Sequence, residues 1–312
     1  MPRTAERREL IRPGAAVRYR VSGPARAPRV VLLHGATLDH HAWDAQVDVL
    51  SERYRVVVPD LRGHGASTTD GPFRFEDALA DVLALLDVLD AERPGSLTTL
   101  GGLSLGGNLA QEVVYRHPDR VDALVVADST CNTSVRHPLA AAMTIALLAT
   151  LSLSSHDRFV RRAAEITSPY EDVRSYVVST NADRANSETY EILAELLQGA
   201  LHTDPDYRLP VPTLLLHGDA DRVGDVVDAT RAWAARDERA EYVVVPAAGH
   251  ASNQDNPAAF NAALLAFLDR VHAPTPAGAP AGATAGVSRP TGLDAARRAL
   301  RRWRPTARSG GR

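Results

Sequence analysis

Leu100-Gly101-Gly102-Leu103-Ser104-Leu105-Gly106-Gly107 joins an apolar run at 96–100 to an amphipathic stretch at 108–116. A serine on so tight a strand-to-helix turn sits in strained backbone geometry, so the positions two before and two after it must lack bulk. Gly102 and Gly106 meet that demand, and the pattern reads as a nucleophile elbow. Such a turn directs the hydroxyl off the end of a sheet. It also puts the next N–H groups at a helix N-terminus, where they stabilise developing negative charge. Glycine patterns of this length mark ordinary strand-to-helix loops too, so the rest of the chain has to supply the partners that such a serine needs.

Outward from this turn, runs rich in Val and Leu recur at 29–33, 54–59, 96–100, 121–127, 212–217 and 241–246. They are short and β-branched, which predicts buried parallel strands. Between them lie helical patterns: 75–90 carries Leu79, Val82, Leu83, Leu86 and Leu89 on one face, and 256–271 carries Phe260, Leu264, Phe267 and Leu268. Strand alternating with helix predicts an α/β fold with a mostly parallel central sheet flanked by helices. The alternation stops between about residues 130 and 209, where Ala- and Leu-rich helical stretches take over. The expected organisation is a core of 1–131 and 208–272 with an inserted helical cap at 132–207.

Beyond His272, residues 273–287 are mostly Ala, Pro, Gly and Thr, which predicts a disordered linker within a tail of 273–312. Arg297, Arg298, Arg301, Arg302 and Arg304 surround Leu293, Leu300 and Trp303, enough for a short basic helix able to touch an anionic membrane or nucleic acid. A solvated tail without a partner is the other reading.

Composition narrows the chemistry. The 312 residues are 45% hydrophobic with a formal charge of −3, which argues against nucleic acid as the principal partner of the core and favours a small molecule. Cys131 is the only cysteine, so an intramolecular disulfide and a Cys-rich zinc site are excluded, and a reducing, cytoplasmic setting is expected. The charged start, Met1-Pro2-Arg3-Thr4-Ala5-Glu6-Arg7-Arg8, predicts no cleaved leader. The longest apolar stretch, 139–153, falls short of the roughly 20 residues that a bilayer span requires and reads as a buried or site-covering helix. Every basic side chain besides histidine is arginine, so Schiff-base lysine chemistry and a Walker lysine are unavailable. Asp39-His40-His41 reads as a turn before Trp43 rather than a metal site, and neither a metal nor another cofactor is expected.

A serine is a weak nucleophile until a base takes its proton and a third group holds that base in the right tautomer. His250 follows the strand at 241–246 through Ala247-Ala248-Gly249 and precedes a helix, a loop at a strand's carboxyl end where open α/β sheets put their sites. Leu214-Leu215-Leu216-His217-Gly218-Asp219-Ala220-Asp221 ends a strand in two aspartates. Asp221 is read as the orienting acid, with Asp219, Asp225 and Asp128 as rivals.

Val31-Leu32-Leu33-His34-Gly35-Ala36, the segment Pro59 to Ser67, Gly102 to Gly107, His217 to Asp221 and Gly249-His250 fall in one order along the chain. Together they resemble the α/β-hydrolase superfamily, including its esterase, lactonase and haloperoxidase-like members, over about residues 10–271 apart from the cap. The resemblance implies the order nucleophile, acid, base as Ser104, Asp221, His250. It also implies an oxyanion hole from the N–H groups of Ala36 and Leu105, with His34, Asp60, Arg62 and His64 in structural roles. Two departures stand out: Asp221 is not followed by the usual proline, and Asp255 stands where the family more often has glutamate. The implied function is serine hydrolysis of an ester or lactone of a small, mostly apolar substrate, with Phe159 and Tyr170 of the cap expected near the pocket. Carbon–carbon bond hydrolysis and cofactor-free perhydrolysis use the same three residues, and a non-catalytic ligand-binding protein of this fold is the reading from another class.

Overall fold

The computed structural model describes residues 5–134 and 154–273. The expected helix at 139–153 and the tail from residue 274 therefore lie outside the described residues, the first except for its neighbours from Ser154 onward. The strands, in chain order, are β1 (Glu6–Arg12), β2 (Ala15–Ser22), β3 (Arg29–Leu33), β4 (Arg55–Pro59), β5 (Thr68–Thr69), β6 (Thr98–Leu103), β7 (Ala123–Ala127), β8 (Thr213–Gly218) and β9 (Ala240–Val245). They form one sheet in the order β1-β2-β4-β3-β6-β7-β8-β9, with β5 paired to β2. From β4 through β3, β6, β7 and β8 to β9 every pairing is parallel.

Period-two alternation divides the strand side chains between two cores. Val31, Leu33, Val57, Leu100, Val126 and Leu215 face α2 (Phe75–Glu92) and α3 (Leu105–Arg116). Val30, Leu32, Val56, Val58, Val125 and Leu216 face the other layer, α1 (Asp44–Leu50) and the chain's last described helix. The helix face expected within 75–90 is buried at Leu79, Val82, Leu86 and Leu89, but Leu85 is buried in place of Leu83, which sits half-exposed at the edge of the contact.

The sequence reading missed the β1–β2 hairpin. β1 alternates exposed and half-buried residues and lies at the sheet's edge, so it carries no apolar run. Its two-residue connection, Pro13-Gly14, needs φ 65° at Gly14, which glycine adopts without strain. The central strand β6 also runs further than expected, to Leu103, because its glycines are part of the ladder rather than of a loop. A side chain at Gly101 would meet Leu32 Cδ2 at 2.9 Å, and one at Gly102 would meet the Gly106 carbonyl carbon at 2.1 Å. Glycine here lets α3 and β3 lie directly on the strand.

Between β7 and β8 the described residues contain three helices and no strand: α4 (His156–Thr167), α5 (Glu171–Thr180) and α6 (Asn186–Gly199). After β8 come α7 (Val226–Arg236), the short α8 (Ser252–Asp255) and α9 (Pro257–Val271). Asn256 caps α9 by accepting the Ala259 N–H at 3.2 Å, and Pro257 opens it where no N–H is needed. Phe260, Leu264, Phe267 and Leu268 of α9 are all fully buried. No helix among the described residues is long and apolar enough to cross a membrane.

The glycine contacts rank two substitutions. A methyl at Gly106 would lie 2.2 Å from the Leu33 carbonyl oxygen, which backbone cannot vacate, whereas at Gly101 the nearest obstacle is the end of a leucine side chain. Gly106→Ala is expected to cost about 3 kcal/mol or more and Gly101→Ala about 1 kcal/mol, read by urea denaturation; equal costs would contradict this packing.

Candidate active site

β6 ends at Leu103 and α3 begins at Leu105, so Ser104 alone makes the turn, at φ 51° and ψ −117°. A non-glycine residue holds that strained conformation only where its surroundings enforce it. Ser104 N–H donates to the Ala127 carbonyl at 2.9 Å, and its own carbonyl accepts from Asn108 N–H at 3.0 Å and the Ser129 hydroxyl at 2.8 Å. The loop after β3 lies against it: a methyl on Gly35 would be 3.5 Å from Ser104 Cβ. The next residue on that loop is Ala36. Among the described residues neither the Ala36 nor the Leu105 N–H meets a protein acceptor. The Leu105 N–H is one of the free donors that every helix start exposes.

His250 follows β9, and its N–H donates to the Thr167 carbonyl at the end of α4, 2.8 Å away. Its Nε2 lies 3.0 Å from Ser104 Oγ and its Nδ1 lies 2.9 Å from Asp221 Oδ2. A carboxylate only accepts, so Nδ1 carries the proton and Nε2 presents its lone pair to the serine hydroxyl. The second Asp221 oxygen accepts the Val223 N–H at 2.8 Å, and the carboxylate is shut off from solvent. Burial pushes the imidazole pKa down. The charge and hydrogen bond of Asp221, with smaller help from Asp128 and Asp255, outweigh it and raise the pKa above its ordinary value.

Among the described residues none of the three rival aspartates bonds His250. Asp219 accepts the Ala248 N–H at 3.1 Å, and backbone N–H groups at 247–248 hold its carboxyl below the usual range. Asp225 stands at the start of α7 without a side-chain capping bond. Asp128, at the end of β7 with φ 47°, is fully buried. It accepts Gly218 N–H at 3.0 Å on one oxygen, and Ser252 N–H at 3.1 Å and Ser252 Oγ–H at 2.6 Å on the other. Asp128 thereby ties the end of β8, three residues before Asp221, to the segment two residues after His250. Burial, then the charge of Asp221, pushes its pKa up to about 8. Sequence reasoning passed over Ser252; its closeness to His250 in the chain was the available signal.

The same two loops touch through backbone. A methyl on Gly218 would lie 2.2 Å from the carbonyl oxygens of both Ala248 and Gly249. Asp255 accepts Gly249 N–H at 2.7 Å and also pairs with the Ser168 hydroxyl, so this departure from the family pattern still anchors the loop that bears His250.

The remaining polar residues have local partners. His34 is fully buried, with Nε2 accepting Leu61 N–H at 2.9 Å and Nδ1 2.8 Å from the Gly35 carbonyl. Arg62 makes two 2.8 Å bonds to Asp81 of α2, and His64 Nδ1 bonds the Arg62 carbonyl. Asp39, His40 and His41 diverge: Asp39 accepts the Tyr176 hydroxyl, His40 bonds Asp60, and His41 bonds Asp44. Among the described residues no three His, Cys, Asp or Glu side chains converge as metal ligands would. Tyr176 on α5 ties the inserted segment to the loop of Ala36, as Thr167 ties it to His250. Phe159 is buried, but Tyr170, expected near the pocket, is 40% exposed and its hydroxyl donates to the Ala247 carbonyl.

A 3-oxoadipate enol-lactonase of Acinetobacter baylyi is 27% identical over 269 residues, which cover 82% of this chain and 94% of that protein. The crystal structure of a hydrolase from Pseudomonas aeruginosa superposes with a TM-score of 0.69 at 28% identity, over 84% of this chain and 98% of the other. A bromoperoxidase from Bacillus anthracis shares the fold, with a TM-score of 0.70 at 21% identity over 85% of this chain and all of the other (100%). The pattern of the alpha/beta hydrolase family matches residues 30–263, from β3 to within α9, and the chain belongs to that family.

Proposed function

We propose that the protein is a serine hydrolase that opens an ester or lactone bond in a small, mostly apolar substrate. The observation that carries this reading is the continuous hydrogen-bonded line from Ser104 Oγ through His250 to Asp221. His250 Nε2 takes the hydroxyl proton as Ser104 Oγ bonds to the substrate carbonyl carbon. The Ala36 and Leu105 N–H groups receive the oxyanion. The alkoxide leaves with the proton from His250, and the acyl group stays on Ser104. Water then gives a proton to His250 and attacks the acyl carbon, and His250 passes that proton to Ser104 Oγ as the acyl bond breaks and the acid leaves. Asp221 stays ionised and stabilises the imidazolium.

Similarity to an enol-lactonase supports including cyclic esters. In this reading 1–131 and 208–272 form the hydrolase core, and 132–207 is a cap whose α4 and α5 touch the loops on either side of Ser104. No cofactor takes part. A cytoplasmic location fits a chain with one cysteine.

A serine-reactive phosphonate should add once to the wild type and not to Ser104→Ala, whose turnover of activated esters should fall by about four to six orders of magnitude. Equal labelling of both, seen by intact mass, would assign the nucleophile elsewhere. Tight retention of a ligand at unit stoichiometry without turnover would favour a binding protein.

The pH profile follows from the His250 shift. The base must be neutral, so kcat/KM should rise with pH through a midpoint above the ordinary imidazole value of about 6.5 and be lost below it. Asp221→Asn should move that midpoint down and lower kcat by about 10⁴. An unmoved midpoint would remove Asp221 from this role.

A further inference from the structure

The two faces of the β1–β2 hairpin treat their arginines differently. On one face Arg8 pairs with Glu6 and Glu92, and Arg12 bonds Asp81 at 3.0 Å. On the other, the register sets Arg7 opposite Arg20 and Glu9 opposite Arg18. Glu9 is taken by Arg18 Nε at 2.9 Å, and Arg18 Nη1 donates to the Ala66 carbonyl at 2.6 Å. Arg7 and Arg20 are left facing each other. Neither guanidinium has a protein acceptor among the described residues. Directly opposed residues of an antiparallel pair have Cα atoms about 4.5–5.5 Å apart, and like charges there destabilise the sheet.

These arginines line a cleft of about 490 Å³. It forms where the helical layer over β3 and β4 stops short of the hairpin, so that His40 makes one wall and Arg7, Arg18 and Arg20 another. The one other carboxylate in the lining, Asp60, is buried and fully engaged. Its oxygens accept His40 N–H and Nδ1–H at 2.7 Å and Ala66 N–H at 2.8 Å. It is therefore unavailable to neutralise Arg7 or Arg20. His40 Nε2 is buried without a partner among the described residues. On a chain of net charge −3, two unmatched guanidinium groups thus converge on a concave surface that includes none of Ser104, Asp221 or His250.

We propose that this cleft binds a dianionic phosphate-type group, gripped between the guanidinium forks of Arg7 and Arg20. Each fork matches two phosphate oxygens in a bidentate pair, and the dianion turns a repulsive cross-strand pair into an attractive cluster. The volume exceeds that of phosphate alone, so the group can belong to a small phosphomonoester or to a lipid headgroup.

The test is calorimetric titration of the full chain with inorganic phosphate, and with vesicles containing phosphatidic acid, at matched ionic strength in chloride. Wild type should bind, and Arg7→Glu and Arg20→Gln should weaken binding at least about tenfold. Arg7→Glu replaces repulsion with attraction, so in chloride it should unfold at the same or a higher temperature than wild type, which separates lost binding from lost folding. Binding of phosphate alone identifies a soluble phosphate ligand, and binding of vesicles alone a lipid headgroup. Absence of both, or equal binding by wild type and Arg7→Glu, would overturn the proposal.

Discussion

The close approach of backbone to backbone around Ser104 is the constraint on which the rest of the site depends. Gly102 touches Gly106, Gly106 touches the carbonyls of Leu33 and His34, and Gly107 touches Ser129. No side chain fits at any of these three points. Because they close, α3 starts immediately after Ser104, and a non-glycine residue is held at φ 51°. The strain is sustained by a well-packed neighbourhood: β3 and β7 flank β6 over its whole length, and Leu103 and Leu105 on either side of the serine are fully buried.

A second constraint brings the two distant partners to that serine. β8 and β9 are parallel neighbours, so the loops at their carboxyl ends emerge side by side. Gly218 allows them to touch, and Asp128 bonds to both. This places two carboxylates near one imidazole in a buried setting. Asp221 bonds the ring directly, while Asp128 acts on it through charge alone and is itself pushed up to about 8 by burial and by Asp221. The hydrogen bonds divide the work: Asp221 orients the ring, and Asp128 holds the two loops together.

The edge of the sheet has its own logic. Helices cover β3 and β4 on the side of α1, but the β1–β2 hairpin extends past them. The alternation of an edge strand then puts one set of arginines against carboxylates, while on the other face Arg18 takes Glu9 and leaves Arg7 and Arg20 without an acceptor among the described residues. The cleft is a product of this layer mismatch, and its charge follows from the register.

The sequence by itself determined the parts that are local. Short β-branched runs marked the parallel strands, the Gly-x-Ser-x-Gly spacing marked the turn, and the apolar face of α9 was legible at Phe260, Leu264, Phe267 and Leu268, because each depends on residues a few positions apart. The β1–β2 hairpin was not legible as a hydrophobic run, since β1 is an exposed edge strand and β2 alternates Val17, Tyr19 and Val21 with arginines. Nor could the chain order separate Asp219, Asp221, Asp225 and Asp128, which all fall between Ser104 and His250. Only the tertiary structure decided that the Asp221 carboxylate reaches His250 while Asp219 holds Ala248 and Asp128 holds Ser252. That choice depends on the direction of side chains across two loops 29 residues apart, which packing sets and sequence spacing does not.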